Sequence, residues 1–489
     1  MRQTQLYIDG KWIKGKETIK TFNPASGEQF GEIFAANADE INQAVNAAST
    51  ALGNWKNKPI EERAAIVGKV VDFLVEEYGA IGEATTLKKL ISEEMGKRLP
   101  EADIEVIETS DMIGYFVKHG KELLANKTLN LNQDLWATKS SQIIFEPVGV
   151  VAIIKAWNYP LEIPSWSLAP ALIAGNTVVF KPSEHSTFVA EYLVKLFEKA
   201  GLPPGVLNFV SGDGRTGKLL VQNKGVKMVS FTGSVKTGTE IAVDCASRHI
   251  KYCLELGGND AAIVTDDAEI ELTSNGLVWG AFCNSGQVCT GTKRVFINQK
   301  VSEKLITEIV TKAKALRQDI DFGPVVSKTQ LKTIEDFVAD AKSKGANILV
   351  GGNRIANSNG YYFEPTVLTN ITPDMKIMNE ECFGPLLPIV IVKDNDEAIK
   401  LTNGSNYGLG ASVWTSDNAK GEKISAQLEV GMVWINDVNV AFPEAPWTAT
   451  KYSGNGIDLS EFSIYEYVII KHVNKDLSND KRRIWWYPY

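Results

Sequence analysis

Cys289 stands in the run Ser285-Gly286-Gln287-Val288-Cys289-Thr290-Gly291-Thr292. Small neighbours leave the thiol open on one side and let backbone N–H groups crowd an oxygen bound there. That is the setting of a sulfur nucleophile with an oxyanion hole. Taken alone, the residue reads as a buried apolar cysteine, the commoner state of an intracellular thiol. Two further runs shift the balance, Lys155-Ala156-Trp157-Asn158-Tyr159-Pro160 and Leu254-Glu255-Leu256-Gly257-Gly258-Asn259-Asp260. In the second, Glu255 precedes a Gly-Gly turn that leaves a carboxylate room to move, as a general base for water requires. Its plainer alternative is a strand-end carboxylate paired with a lysine.

Other residues suit a nucleotide. Ser230-Phe231-Thr232-Gly233-Ser234-Val235-Lys236-Thr237-Gly238 joins a strand to a helix. Gly233 permits the turn, Ser234 can cap the helix, and the free N–H groups of its first turn can face a pyrophosphate. The glycines do not follow the GxGxxG spacing, so the run alone is an ordinary capped turn. In Phe180-Lys181-Pro182-Ser183-Glu184, the lysine can donate to ribose or phosphate oxygens and the glutamate can accept from ribose hydroxyls. Glu380-Glu381-Cys382-Phe383-Gly384-Pro385 alone is a solvated acidic loop.

These residues need a scaffold. Asp9-Gly10 within Leu6–Ile13 predicts a hairpin. Apolar spacing predicts helices over about Ala38–Leu52, Ile60–Ile81 and Thr85–Leu124. The Val/Ile-rich stretch Gln142–Trp157 reads as one strand. Strand and helix patterns then alternate to Glu255, which implies a doubly wound parallel sheet. A second alternation follows Gly257, with strands at Ala261–Val264, Arg294–Ile297, Asn347–Val350, Leu387–Val392 and Val433–Ile435. The fold class is therefore α/β, with a Rossmann-like cofactor domain (1–123 and 147–257) and an α/β catalytic domain (258–458). Lys127–Ser141 and Glu466–Lys475 read as two strands of a separate ribbon, taken as 124–146 with 463–476. An aromatic tail, 477–489, ends in Arg482-Arg483-Ile484-Trp485-Trp486-Tyr487-Pro488-Tyr489 and suits a subunit interface better than a membrane surface.

With 489 residues the chain is too long for one core, and 44% apolar with 22% charged residues is ordinary for a soluble protein. A net charge of -8 argues against a nucleic-acid or anionic-membrane partner. No run is apolar enough to span a bilayer, so no stable membrane insertion is expected. Five cysteines without a signal core point to a reducing cytoplasm. No metal-ligating cluster is expected.

The Cys289, Asn158 and Glu255 runs together resemble the NAD(P)-dependent aldehyde dehydrogenase superfamily, from about Tyr7 to His472. The resemblance implies that Cys289 attacks an aldehyde, that the Asn158 amide and the Cys289 N–H hold the oxyanion, and that Glu255 activates the water that hydrolyses a thioester. It implies a cofactor site of Lys181, Ser183, Glu184, Gly233, Ser234, Trp157, Glu381 and Phe383. NAD is expected over NADP because Glu184 would repel a ribose phosphate; NADP use stays open. The ribbon would build a homodimer or homotetramer.

The substrate tunnel implied by the resemblance holds Tyr159, Trp166 and Trp447, three members of the aromatic box of betaine-aldehyde and aminoaldehyde dehydrogenases. Cys283 stands where the fourth aromatic would be. Glu105 and Glu108 match an acidic pair at the tunnel mouth, or else form a solvated helix face. Ala156, the run Trp447-Thr448-Ala449-Thr450-Lys451, Ile457 and Asp458 depart from the family pattern. The expected substrate is a small cationic or neutral apolar aldehyde. The alternatives are a succinate-semialdehyde-type enzyme, which would need a basic tunnel residue, and an inactive binding homologue on the same fold.

Overall fold

The computed structural model describes residues 2–79, 86–356, 358–482 and 486. Two seven-stranded sheets carry the architecture. The first contains β1 (Leu6–Ile8), β2 (Lys11–Ile13), β3 (Val150–Lys155), β4 (Thr177–Pro182), β5 (Leu207–Phe209), β6 (Met228–Thr232) and β7 (Lys251–Glu255), in the order β7-β6-β3-β4-β5-β1-β2. Its five central strands are parallel, and the β1–β2 hairpin closes one edge antiparallel. β3 and β4 are buried along their whole length, as a sheet covered on both faces requires.

The second sheet contains β8 (Ala261–Val264), β9 (Arg294–Asn298), β10 (Asn347–Val350), β11 (Thr366–Thr369), β12 (Leu386–Val392), β13 (Gly410–Trp414) and β14 (Met432–Ile435), in the order β10-β11-β12-β9-β8-β13-β14. Only β10 runs antiparallel to its neighbour. Glu255, the last residue of β7, and Ala261, the first of β8, bracket the passage between the sheets, so Glu255 stands where the chain leaves one sheet for the other.

Two expected elements are divided. The stretch Gln142–Trp157 is not one strand: Lys139–Pro147 pairs with Val468–Asp476, whereas β3 begins at Val150 in the first sheet. Pro147 and Gly149, with φ +129°, break the run between them. The predicted Thr85–Leu124 helix is likewise two helices, Thr86–Met95 and α1 (Leu99–Leu123), and Thr85 lies outside the described residues. Gly96 has φ +88° and packs against Pro324, and Pro100 occupies the first turn of α1. Lys127–Ser141 contains a two-residue strand and a helical turn at Gln133–Trp136 before the long strand begins. Ile81, Arg483, Ile484, Trp485, Tyr487, Pro488 and Tyr489 lie outside the described residues. No helix among the described residues is long and apolar enough to cross a membrane.

α1 is locked to α2 (Glu162–Ile173) by a buried carboxylate, Glu105, which also pairs with Lys97 just before α1. Glu105 Oε2 lies 2.5 Å from Lys97 Nζ, with side-chain exposures of 0% and 1%. Its other oxygen accepts from the backbone N–H groups of Leu161 (2.8 Å) and Glu162 (3.3 Å), at the N-terminus of α2. Glu105 therefore does not stand at a tunnel mouth, and the expectation that it does is corrected. Its position on the α1 face turned toward α2, with three donors to satisfy there, buries it.

Glu105→Ala strands a buried ammonium and two backbone donors. It should lower the unfolding free energy by about 3–5 kcal/mol in urea titration; a loss below about 1 kcal/mol would show that water takes the place of the carboxylate.

Candidate active site

The nucleophile loop begins where the helix α4 (Ile270–Phe282), which follows the helix α3 (Val235–Ser247), ends at Cys283. Asn284 (φ 46°), Ser285 (φ 55°) and Gly286 (φ 74°) are three successive left-handed residues. A side chain on Gly286 would meet the Gly384 carbonyl at 2.2 Å, so only glycine fits. Hydrogen bonds hold the other two. Ser285 Oγ donates to Gly323 O (2.7 Å), and the Asn284 N–H donates to Glu101 Oε1 (3.0 Å). Asn284 Nδ2 donates to Asn158 O (3.0 Å), while Gln287 Nε2 donates to Asn284 O (2.9 Å). Lys293 Nζ closes the loop from below on Gly286 O (2.6 Å).

This loop sets Cys289 in the wall of an aromatic pocket. Burial pushes the thiol well above its ordinary range. The charges of Glu381, Asp260 and Glu255 add to this, and the Thr290 N–H opposes it. The thiol must therefore pass its proton to a base before it can attack. Asn158 is 3% exposed, and its Nδ2 donates to Gln287 O at 3.2 Å, two residues before the nucleophile. The side-chain amide is thus fastened beside the thiol with one N–H to spare.

Glu255 ends β7 and is 4% exposed. Neither carboxyl oxygen has a hydrogen-bond partner, and Gly456 approaches so closely that a Cβ there would lie 2.6 Å from Oε1. Burial raises its pKa well above the carboxylate range, Asp458 adds to the rise, and Lys155 opposes it. Lys155 itself lies 3.6 Å from Asp458 Oδ2 and donates to Thr232 Oγ1 at 3.0 Å. Asp458, one of the departures from the family pattern, thus belongs to the environment of the candidate base.

A cavity of about 170 Å³ opens over Cys289. Tyr159, Trp166, Trp447, Cys283 and Glu108, all singled out in the sequence, line it together. Trp166 and Trp447 pack with centroids 5.2 Å apart. Trp434 packs against Trp447 with centroids 6.2 Å apart, outside the residues that line the cavity. Asn439, which sequence reasoning missed, donates to Cys283 Sγ at 3.7 Å. Lys97, Arg98, Glu101 and Glu162 complete a charged side of the cavity that the sequence reading did not assign. Only Glu162 carried a signal: a carboxylate between the Asn158 run and Trp166, in an otherwise apolar helix. Lys97 and Arg98 are the basic residues an acid-semialdehyde enzyme would need, but Glu105 and Glu101 already neutralise them, the latter at 2.8 Å.

A second cleft, of about 880 Å³, lies at the C-terminal ends of β3, β4 and β6. Trp157, Lys181, Ser183, Glu184 and Gly233 line it together. Ser234 caps α3 by accepting from the Thr237 N–H at 3.3 Å. Lys181 Nζ donates to Pro182 O (2.8 Å) and its pKa is lowered by burial, against the pull of Glu184 and Asp213. A carboxylate beside a lysine, next to a capped helix N-terminus, fits a ribose and a pyrophosphate. Glu381 and Phe383 are not in this cleft wall. The Phe383 ring meets Trp157 edge-on at 5.5 Å, and Glu381 Oε1 accepts from the Gly258 N–H at 3.3 Å. Burial raises the Glu381 pKa to about 7, with Lys293 opposing. A Cβ on Gly257 would lie 2.0 Å from Glu381 Oε2, which explains the glycine there. No group of three or more acidic, His or Cys side chains that could hold a metal occurs among the described residues.

The aldehyde dehydrogenase family model matches residues 12–473. A betaine aldehyde dehydrogenase of Bacillus subtilis is 34% identical, covering 97% of this chain and 98% of its own length. A chloroplastic aminoaldehyde dehydrogenase of Arabidopsis thaliana is 35% identical, over 98% and 97%. Among solved structures, a betaine aldehyde dehydrogenase of Staphylococcus aureus in complex with NAD+ superposes with a TM-score of 0.94 at 32% identity, covering 99% of this chain and 96% of that one. With a nucleophile loop, an adjacent amide, a buried carboxylate and a nucleotide cleft in this arrangement, and with matches over nearly its whole length, the chain belongs to the aldehyde dehydrogenase family.

Proposed function

We propose that the protein oxidises a small cationic or neutral apolar aldehyde, of the betaine-aldehyde or aminoaldehyde type, to its carboxylic acid with NAD. The observation that carries this is a single cavity with Cys289 in one wall and Tyr159, Trp166 and Trp447 in the others. An aromatic wall attracts a cation by about 0.5–2 kcal/mol. It offers a carboxylate nothing, and the two nearby basic groups are already paired, so the acid-semialdehyde alternative is not favoured.

In this reading, Cys289 loses its proton and its sulfur adds to the aldehyde carbon. The Asn158 amide and the Cys289 N–H hold the oxygen that gains charge. A bound NAD would supply the acceptor for the hydride that leaves the tetrahedral carbon. A thioester then remains on Cys289. Glu255, relaxing its buried pose, takes a proton from water, and the water expels the sulfur. Lys181, Ser183, Glu184, Gly233 and Ser234 would hold the dinucleotide, with Trp157, Glu381 and Phe383 toward the reacting end. We assign residues 1–123 with 147–257 to cofactor binding and 258–458 to the chemistry. We also assign 124–146 with 463–476 to assembly into a dimer or tetramer. Exposed Ile469 and Ile470 on the Val468–Asp476 strand support the assembly role. Five free thiols fit a cytoplasmic enzyme.

Glu255→Gln should give a burst of NADH followed by turnover slowed about 100-fold or more, seen by stopped-flow absorbance. Because burial raises the Glu255 pKa, the wild-type steady-state rate should rise with pH as the carboxyl ionises. The variant should lack that limb, and turnover equal to wild type would move the base elsewhere. Glu184→Ala should raise kcat/KM for NADP relative to NAD. An unchanged ratio would mean that Glu184 does not face the ribose.

A further inference from the structure

The charged side of the aldehyde cavity does not balance. Lys97 is matched by Glu105 at 2.5 Å, and Arg98 by Glu101 at 2.8 Å. Glu101 also accepts from the Asn284 N–H, so it is fully engaged. Two carboxyl groups remain in the cavity wall, Glu108 and Glu162. Glu162 is 4% exposed and has no ion pair among the described residues. It sits on the first turn of α2, yet the backbone N–H groups there go to Glu105. A carboxyl group buried this deeply without a cation is costly unless something brings the countercharge.

The aromatic residues are less free than their types imply. Lys97 Nζ stands 3.6 Å from the centroid of the Tyr159 ring, so that face already carries a cation of the protein's own. Trp166 and Trp447 turn partly toward each other. Cys283 gives no fourth π-face. What remains is a weak box for a methylated cation and two strong acceptors for a cation that carries N–H donors.

We infer that Glu162, acting with Glu108, is the specificity-determining residue of this cavity, and that it selects aldehydes whose far end is a primary ammonium group over trimethylammonium aldehydes. The inference rests on the reading of this cavity as the aldehyde site. A primary ammonium presents three donors, enough to serve both carboxylates; a trimethylammonium presents none. Burial, with Glu108 and Glu105 beside it and Lys97 opposing, holds the Glu162 carboxyl well above its ordinary range. An arriving ammonium supplies the charge that lets it ionise.

The test is kcat/KM for three aldehydes of equal chain length: 3-aminopropanal, 3-(trimethylammonio)propanal and butanal. The wild type should prefer 3-aminopropanal to the trimethylated compound by about tenfold or more. In Glu162→Gln, which keeps the volume, the ratio of 3-aminopropanal to butanal should fall by about tenfold or more, chiefly through KM. Glu162→Asp should retain part of the preference, and Glu108→Gln should lose less. NAD binding, followed by fluorescence, verifies that each variant is folded. A proportional loss for all three aldehydes in Glu162→Gln would mark a structural role and overturn the inference. A wild-type preference for the trimethylated aldehyde would overturn it while leaving the cationic-substrate reading intact. If butanal beats both cations, the inference is overturned and only the neutral-apolar arm of the proposed function stands.

Discussion

A nucleophilic sulfur must be held still while it is kept out of water, and here both demands fall on the loop between Cys283 and Cys289. Its three left-handed residues cost on the order of 1–3 kcal/mol for each non-glycine. The surrounding structure offsets this with hydrogen bonds from different parts of the chain: Glu101 from α1, Gly323 from the second sheet's side, and Asn158 just after β3. The same contacts place Asn158 beside the thiol. The proposed oxyanion donor and the proposed nucleophile are thus positioned by one network, and a change that loosens Asn284 disturbs both.

Burial then creates an electrostatic problem that the chemistry can use. Cys289, Glu255, Asp260 and Glu381 are all pushed toward their neutral forms, and desolvation is the largest cause in each case. A neutral thiol is stable and unreactive in storage. Lys155 and Lys293 moderate the excess of acid on the cofactor side, as Lys97 and Arg98 do on the substrate side.

The parallel sheets and the candidate site residues were legible in the chain because each has a local signature. Glu255 before Gly-Gly, the small residues around Cys289 and the capped turn at Ser234 all announce themselves in a few neighbours. The charged half of the substrate cavity was hidden for the opposite reason. Lys97, Arg98 and Glu101 come from the start of α1, Glu162 from α2 and Asn439 from beyond β14, and no spacing along the chain links them. Glu105 was misread because its helical face looks solvated until α2 is laid against it. The broken helix at Gly96 and the strand break at Gly149 turn on positive φ angles that apolar periodicity does not register.

The central claim is that the acyl group passes through a bond to Cys289. Acid quench of the enzyme within the first turnover with NAD and an aldehyde, followed by peptide mass spectrometry, tests it directly. The account predicts an added acyl mass on the peptide that carries Cys289, absent when NAD is omitted. Product formation with that peptide unmodified at every quench time, or an acyl mass on another cysteine, would contradict it.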